Sequence, residues 1–236
     1  MSLAERANSG LHAHVLEHIL ALEPRRDATI LDVGCGTGAL LSRLREHGYR
    51  RLMGLDIAPP ADLPGIALHS VDLDACETPL EDGSVDLAIA IEIVEHIENV
   101  GRLLDELFRL LAPGGRLLVT TPNVHSLEAR LRFLLTGELK QFDRIGDPTH
   151  VYPVFQFPFR RVLDRHGFRV DSAWGFPVDG SSATSRLTLR ALAGLARAVG
   201  LRAAPAGDQL CFLLERNTAA PAASGDGKRA HVVAHY

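Results

Sequence analysis

A short apolar run, Thr29–Val33, leads directly into three glycines at alternate positions, Gly34, Gly36 and Gly38. Helical spacing of apolar residues begins immediately afterwards, at Ala39. Glycines in such a turn let the backbone bend sharply and let a ligand approach the main chain. The sequence therefore predicts a strand–loop–helix unit with a binding loop at the carboxyl end of the strand.

Short apolar segments alternate with helical patterns along the rest of the chain. Further strands are predicted at Arg51–Leu55, Ala67–Val71, Val85–Ile91, Arg116–Thr121, Phe168–Ala173 and Gln209–Glu215, and helices at Leu11–Leu22, Ala39–His47, Val100–Leu111, Leu127–Thr136, Phe159–His166 and Ser185–Val199. Strands with little polar alternation are typical of a parallel sheet that helices cover on both faces. We therefore expect an α/β fold.

Composition and length restrict the class of protein further. The 236 residues carry a formal net charge of −4, which disfavours nucleic acid and anionic membranes as partners, and no apolar run approaches the roughly 20 residues of a membrane span. The three cysteines, Cys35, Cys76 and Cys211, lack paired spacing, which predicts a reducing cytoplasm. One domain is expected over residues 1–216, and the Ala-, Pro-, Ser- and Gly-rich residues 217–236 are predicted to be a disordered tail.

Acidic residues stand in or after the first three predicted strands. Asp32 lies beside the glycine loop, where a carboxylate suits a ligand's ammonium group and repels a pyrophosphate. Asp56 ends the second strand and can accept bonds from both ribose hydroxyls, a geometry that serves NAD and adenosyl cofactors equally. Asp72 follows the third strand, where its side chain can meet an adenine amino group, and Asp74 is the close alternative. A nucleoside-containing cofactor is therefore expected.

Five motifs occur in order: ILDVGCGTGALL, GLD, VDLD, PLEDGSVDLAIAIEIVEHIEN and LLAPGGRLLVTTPN. Together they resemble the class I S-adenosylmethionine-dependent methyltransferase family. The resemblance implies a Rossmann-like sheet of seven mostly parallel strands, the last antiparallel, and S-adenosyl-L-methionine as cofactor. The cofactor-binding residues that it indicates are Asp32, Gly34, Cys35, Gly36, Gly38, Asp56, Asp72 and Glu92. A nicotinamide oxidoreductase would also use the glycines, but it leaves the last two motifs without a role.

The region after Asn123 follows the family only loosely, and we expect an acceptor-covering insertion at residues 123–152 and a helical insertion at 180–207. His150 and His125 lie on the covering segment, and both are candidates to face the acceptor. Basic residues gather around it: Arg130, Arg132, Lys140, Arg144, Arg160 and Arg161. With the neighbouring aromatic residues they suit an anionic acceptor, a sugar face or single-stranded RNA, or they form a solvated charged surface.

A second constellation, Glu92, Glu95 and His96, follows the fourth strand. If a helix begins at Glu92, these residues share one face and can bind a divalent cation, with His150 as a fourth ligand. That set is similar to the metal ligands of small-RNA 2′-O-methyltransferases. The alternatives are a structural helix start and a metal-free site in which one histidine takes a proton. We expect the metal-free site, with His150 and His96 as the catalytic candidates.

The resulting hypothesis is a methyltransferase that O-methylates a hydroxyl of a small molecule or glycan. One alternative is a metal-assisted RNA 2′-O-methyltransferase, which RNA binding would support. The other is a non-catalytic cofactor-binding protein, which would hold the cofactor without turnover. Neither the acceptor's identity nor the oligomeric state follows from the sequence.

Overall fold

The computed structural model describes residues 7–75, 78–178, 191, 194–195, 198–200 and 206–217. Its strands are β1 (Thr29–Val33), β2 (Arg51–Asp56), β3 (Ala67–Ser70), β4 (Val85–Ile91), β5 (Leu111–Pro122), β6 (Phe168–Phe176) and β7 (Gln209–Arg216). Its helices are α1 (Leu11–Leu22), α2 (Ala39–Glu46), α3 (Val100–Leu110), α4 (Leu127–Thr136) and α5 (Gln156–Arg165). The predicted tail, apart from Asn217, and most of the predicted 180–207 insertion lie outside the described residues.

The seven strands form one sheet in the order β3-β2-β1-β4-β5-β7-β6. β1 pairs in parallel with β2 and β4, and β4 pairs in parallel with β5. β7 lies antiparallel between β5 and β6. The predicted Rossmann-like sheet with an antiparallel last strand is confirmed.

Helices cover both faces of the sheet through two apolar clusters. One cluster packs Leu11 of α1 and Leu41 of α2 against Ile30 of β1. The other packs Leu104 of α3 and Phe159 of α5 against the opposite face. Because the inner strands β1, β4 and β7 are buried along most of their length, their residues are almost continuously apolar, whereas the edge strands β3 and β6 are partly exposed.

Two elements begin before the residues predicted from the sequence. β5 begins at Leu111, because Leu111 pairs with Val85 before the register shifts to Leu87 and Arg116, so the Pro113–Gly115 segment is a bulge. Helix α5 begins at Gln156, three residues early, because the Gln156 N–H donates to Nε2 of His125 at 2.9 Å. Both differences arise from contacts distant in sequence.

The segment between β5 and α5 folds over the carboxyl edge of the sheet. Ser126 caps α4, its hydroxyl accepting from the Ala129 N–H at 3.2 Å. Beyond α4, Lys140 forms a buried ion pair with Asp208, the residue before β7. This ion pair joins the segment to the sheet. Among the described residues, no helix combines the length and the apolar character needed to cross a membrane.

Candidate functional site

A cavity of about 490 Å³ opens at the carboxyl ends of β1, β2 and β4. The strand order reverses at β1, and such a reversal is where α/β sheets commonly bind ligands. The cavity is lined by Ala7, Asn8, His12, Asp32, Gly34, Cys35, Gly36, Thr37, Asp56, Ile91, Glu92, Ile93, His96, Gln141, Asp147 and His150. Its volume suits a cofactor-sized ligand.

The glycine loop forms one wall of this cavity. The N–H groups of Gly34 and Cys35 both donate to the carbonyl of Leu55, at 2.7 and 2.9 Å, which fixes the loop against β2. Gly34 has φ of 74°, and a Cβ there would lie 2.0 Å from Cδ1 of Ile93. Glycine is therefore required at this position for conformation and for space.

Two aspartates border the loop in different environments. Asp56 accepts from the Gly36 N–H at 2.8 Å through Oδ2 and from the Ala58 N–H at 2.9 Å through Oδ1. Asp32 is almost fully buried, and that burial, with the nearby charge of Asp56, raises the pKa of Asp32 to about 7. Asp32 is thus poised to ionise near neutral pH.

No helix begins at Glu92, so the condition under which Glu92, Glu95 and His96 would share a helix face is not met. Glu92 has φ of 52°, and its N–H donates to the carbonyl and the hydroxyl of Thr120, both at 3.1 Å. These bonds turn the chain out of β4, and only a short 3₁₀ turn, Val94–His96, follows. The Glu92 carboxylate accepts from the Thr120 hydroxyl at 3.0 Å, and burial raises the pKa of Glu92 to about 7.

Glu95 is fully buried beneath the cavity, and neither carboxylate oxygen has a hydrogen-bond partner among the described residues. Burial, reinforced by the charge of Glu92, raises the pKa of Glu95 well above its usual value. Its main-chain carbonyl accepts from the N–H groups of Val151 and Tyr152, at 2.8 and 2.9 Å. These two bonds fasten the end of the covering segment to the 3₁₀ turn.

That attachment brings His150 against His96, with ring centroids 4.7 Å apart. Both rings line the cavity. One nitrogen of each ring and one carboxylate oxygen of Glu95 lie within 4.8 Å of one another, so these three residues could hold a divalent cation. Glu92 is not part of that group, in contrast to the set expected from the sequence.

A model of the methyltransferase domain family matches residues 5–173, well over half of the chain. The chain belongs to the class I S-adenosylmethionine-dependent methyltransferase family. It is 31% identical over 125 residues to sterol 4-C-methyltransferase of Caenorhabditis elegans, covering 49% of this chain and 36% of that protein. It is 29% identical over 118 residues to the mitochondrial ubiquinone biosynthesis O-methyltransferase of Dictyostelium discoideum, covering 42% and 37% respectively. The methyltransferase chain thus spans little more than a third of the length of these two relatives.

Structural similarity extends over more of the chain. A SAM-dependent methyltransferase from Archaeoglobus fulgidus matches with a TM-score of 0.58 and 20% identity. The alignment covers 86% of this chain and 94% of that one. At this identity the similarity establishes the fold of the methyltransferase, which agrees with the strand order.

The residues of this chain fit S-adenosyl-L-methionine, the cofactor of its family. The main chain at Gly34 and Gly36, where φ is 74° and 52°, lines the cavity. Asp32 can face an ammonium group, and Asp56 retains lone pairs for ribose hydroxyls beside its two main-chain bonds. Six of the eight predicted cofactor residues line the cavity: Asp32, Gly34, Cys35, Gly36, Asp56 and Glu92.

Gly38 and Asp72 are not among the lining residues. A Cβ on Gly38 would lie 2.1 Å from Cδ1 of Leu63, so this glycine serves close packing. Asp72 is exposed and accepts from the Asp74 N–H at 3.0 Å, and Asp74 accepts from the Asn99 N–H at 3.0 Å. Asp72 thus stabilises a local turn, Asp74 fastens this turn to the residue before α3, and an adenine contact by Asp72 stays a prediction.

His125 does not line the cavity and has a structural contact instead. Its Nε2 accepts from the first N–H of α5, and its ring lies edge-on to Phe155 with centroids 5.8 Å apart. Burial, together with the charge of Arg130, lowers the pKa of His125 and favours the neutral form that this bond requires.

Sequence reasoning missed several residues that line the cavity or contact its histidines. Gln141 and Asp147 line the cavity, and Thr149 contacts the ring of His96. Asn8 and His12 reach the cavity from the start of α1. The sequence from Gly146 to His150 indicated that this segment could carry site residues. The contacts of these residues with His96 depend on the fold and could not be predicted from the sequence.

Proposed function

We propose that this chain is an S-adenosylmethionine-dependent methyltransferase that O-methylates a neutral hydroxyl of a small molecule or glycan. The observation that carries the proposal is a single cavity with the glycine loop and Asp56 at one end and His96 and His150 at the other. The cofactor supplies an electrophilic methyl group. The chain's own residues bind it, align an acceptor and remove a proton.

The charge of the cavity supports a neutral acceptor. Among the described residues that line it, none is Lys or Arg, whereas Asp32, Asp56, Glu92 and Asp147 are acidic. An anionic acceptor would meet only repulsion there. This composition also argues against the RNA alternative, whose phosphates need cationic contacts.

The basic residues around the covering segment do not supply such contacts. Arg132 pairs with Glu138 and Asp143, and Arg144 pairs with Glu138. None of the six basic residues gathered there lines the cavity. We infer that these ion pairs build the acceptor cover at residues 123–152.

Cys35 and Cys211 are buried free thiols, which supports the predicted reducing cytoplasm.

The acceptor can be identified by methyl transfer. The purified chain is incubated with S-adenosylmethionine carrying a labelled methyl group and with a fractionated small-molecule extract, and the labelled product is identified by mass spectrometry. We expect a methyl ether. A labelled nitrogen, carbon or sulfur atom would contradict O-methylation, label in RNA would favour the RNA alternative, and slow turnover without product would favour a binding protein.

Asp56→Ala is expected to weaken binding of S-adenosylhomocysteine by about 2 kcal/mol, roughly 30-fold, because two ribose hydroxyls lose a charged partner. The loop also loses the bond from the Gly36 N–H. Isothermal calorimetry measures the affinity, with Asp27→Ala, an exposed aspartate before β1, as the matched control. Unchanged affinity in Asp56→Ala would remove this residue from the cofactor site.

The affinity for S-adenosylhomocysteine is expected to rise about fivefold from pH 6 to pH 7, because Asp32, with a pKa of about 7, must ionise to attract the ligand's ammonium group. Asp32→Asn should bind more weakly and lose most of this pH dependence. Glu92→Gln is measured in parallel, because the pKa of Glu92 is also about 7. A flat wild-type profile would contradict the role of Asp32.

A further inference from the structure

We propose that His96, and not His150, accepts the proton of the acceptor, and that Thr149 and Asp147 are positioning residues that hold its ring with the proton on Nδ1 and Nε2 free to react. The inference rests on the proposed function and deepens it, because the sequence left the two histidines equivalent. The structure distinguishes them by what stands behind each ring.

The hydrogen atoms around Thr149 determine the state of the His96 ring. The Thr149 hydroxyl donates to Oδ1 of Asp147 at 2.6 Å. A hydroxyl has one hydrogen, so the contact of 2.8 Å between Thr149 Oγ1 and Nδ1 of His96 must be donated by the histidine. The Thr149 carbonyl, 3.3 Å from the same nitrogen, can also only accept.

The hydroxyl oxygen and the carbonyl oxygen of Thr149 therefore both act as acceptors and place the proton of neutral His96 on Nδ1. The other nitrogen, Nε2, then carries a lone pair, and the ring lines the cavity. When Nε2 takes the hydroxyl proton, the acceptor oxygen bonds to the methyl carbon and the carbon–sulfur bond breaks with its electron pair left on sulfur. The imidazolium afterwards releases its proton to solvent.

Asp147 supplies a negative charge in addition to the tautomer preference that Thr149 imposes. Hydrogen bonds from the Thr149 hydroxyl and N–H lower the pKa of Asp147, which keeps its carboxylate charged. Through Thr149, that charge stabilises the imidazolium that forms on His96. The groups that face the His96 ring are His150, Glu95 and Asp147. Burial and the neighbouring His150 lower the pKa of His96, and Asp147 and the Thr149 carbonyl oppose this shift.

His150 lacks such support. Its Nδ1 lies 2.8 Å from the main-chain carbonyl of Gln141, which can only accept. The carbonyl fixes the tautomer but carries no charge, and Asp147 acts on His150 only through space, without the hydrogen-bonded link through Thr149 that joins it to His96. We therefore assign His150 to placing the acceptor beside the base.

The tautomer can be read without turnover. In protein labelled with ¹⁵N-histidine, two-bond nitrogen–proton correlations distinguish the two neutral forms, and His96→Gln assigns the signal. We expect wild-type His96 in the Nδ1–H form. Thr149→Val should move His96 toward a mixture, while His150, held by Gln141, stays unchanged as the internal control. An Nε2–H form of His96 in the wild-type protein would overturn the proposal.

Kinetics with the acceptor test the positioning role. Thr149→Val is expected to lower kcat about 10- to 100-fold with little change in KM, and Thr149→Ser should restore most of it. Asp147→Asn should lower kcat and move the acid limb of kcat/KM to lower pH, because losing the carboxylate lowers the pKa of His96. Thr136→Val, an exposed threonine of α4 in the same segment, is the matched control.

The NMR and kinetic measurements distinguish a failure of the positioning role from a failure of the proposed function. Unchanged kcat and an unchanged pH profile in both Thr149→Val and Asp147→Asn would overturn the positioning role, even if methylation occurs. If the wild-type chain transfers no methyl group, the proposed function fails, and the NMR result then decides whether Thr149 fixes the ring.

Discussion

His96→Ala is expected to lower kcat for methyl transfer by about 10²–10⁴-fold, about 2.7–5.5 kcal/mol of activation free energy. A neutral alcohol is a poor nucleophile, and the variant loses the ring nitrogen that Thr149 and Asp147 position to take its proton. His150→Ala is expected to raise the acceptor's KM more than it lowers kcat. Steady-state kinetics with the identified acceptor measure both effects.

His47→Ala is the matched control, because His47 is an exposed histidine at the end of α2, outside the cavity lining. S-adenosylhomocysteine affinity should be unchanged in all three variants, which separates the chemical step from cofactor binding. Full activity in His96→Ala would remove this residue from proton transfer and favour catalysis by alignment alone.

Chelation distinguishes the metal-free base from a cation held by Glu95, His96 and His150. On the proposed function, activity survives EDTA and added Mg²⁺ or Mn²⁺ has no effect. Loss of activity on chelation, restored by Mn²⁺, would mean that the buried Glu95 carboxylate binds a cation and that the histidines act as its ligands.

The cofactor end of the site could largely be predicted from the sequence, because its chemistry lies in contiguous segments. A strand followed by alternate glycines fixes Asp32 and Gly34 at the carboxyl edge, and the next strand places Asp56 beside them. Parallel strands bring their ends to one edge whatever the details of the helices. The local sequence pattern and the sheet topology therefore place these residues at the same edge of the sheet.

The acceptor end could not be predicted in the same way, because it depends on contacts between distant residues. Helical spacing suggested that Glu92 shares a face with His96, but two bonds to Thr120 turn the chain at Glu92. The pairing of His96 with Thr149 requires the main chain at Val151 to reach the carbonyl of Glu95. No periodicity in the sequence encodes these bonds.

Lys140→Met is expected to lower the free energy of unfolding by about 3–5 kcal/mol. Lys140 and Asp208 are both buried, with 6% and 2% of their surfaces exposed. Removing the ammonium takes a charged hydrogen-bond partner from the Asp208 carboxylate at a buried position. The charge of Asp208 also raises the pKa of Glu92, so two acidic groups would then lie close together.

Chemical unfolding followed by circular dichroism measures the effect, and Arg144→Met is the matched control. Arg144 belongs to the same covering segment, but its side chain is 91% exposed in its pair with Glu138, so its loss should change the free energy by less than about 1 kcal/mol. In the double variant Lys140→Met/Asp208→Asn, most of the stability should return, because no unpaired charge remains buried. A loss in Lys140→Met no larger than the loss in Arg144→Met would show that the Lys140–Asp208 pair does not stabilise the attachment of the covering segment to the sheet.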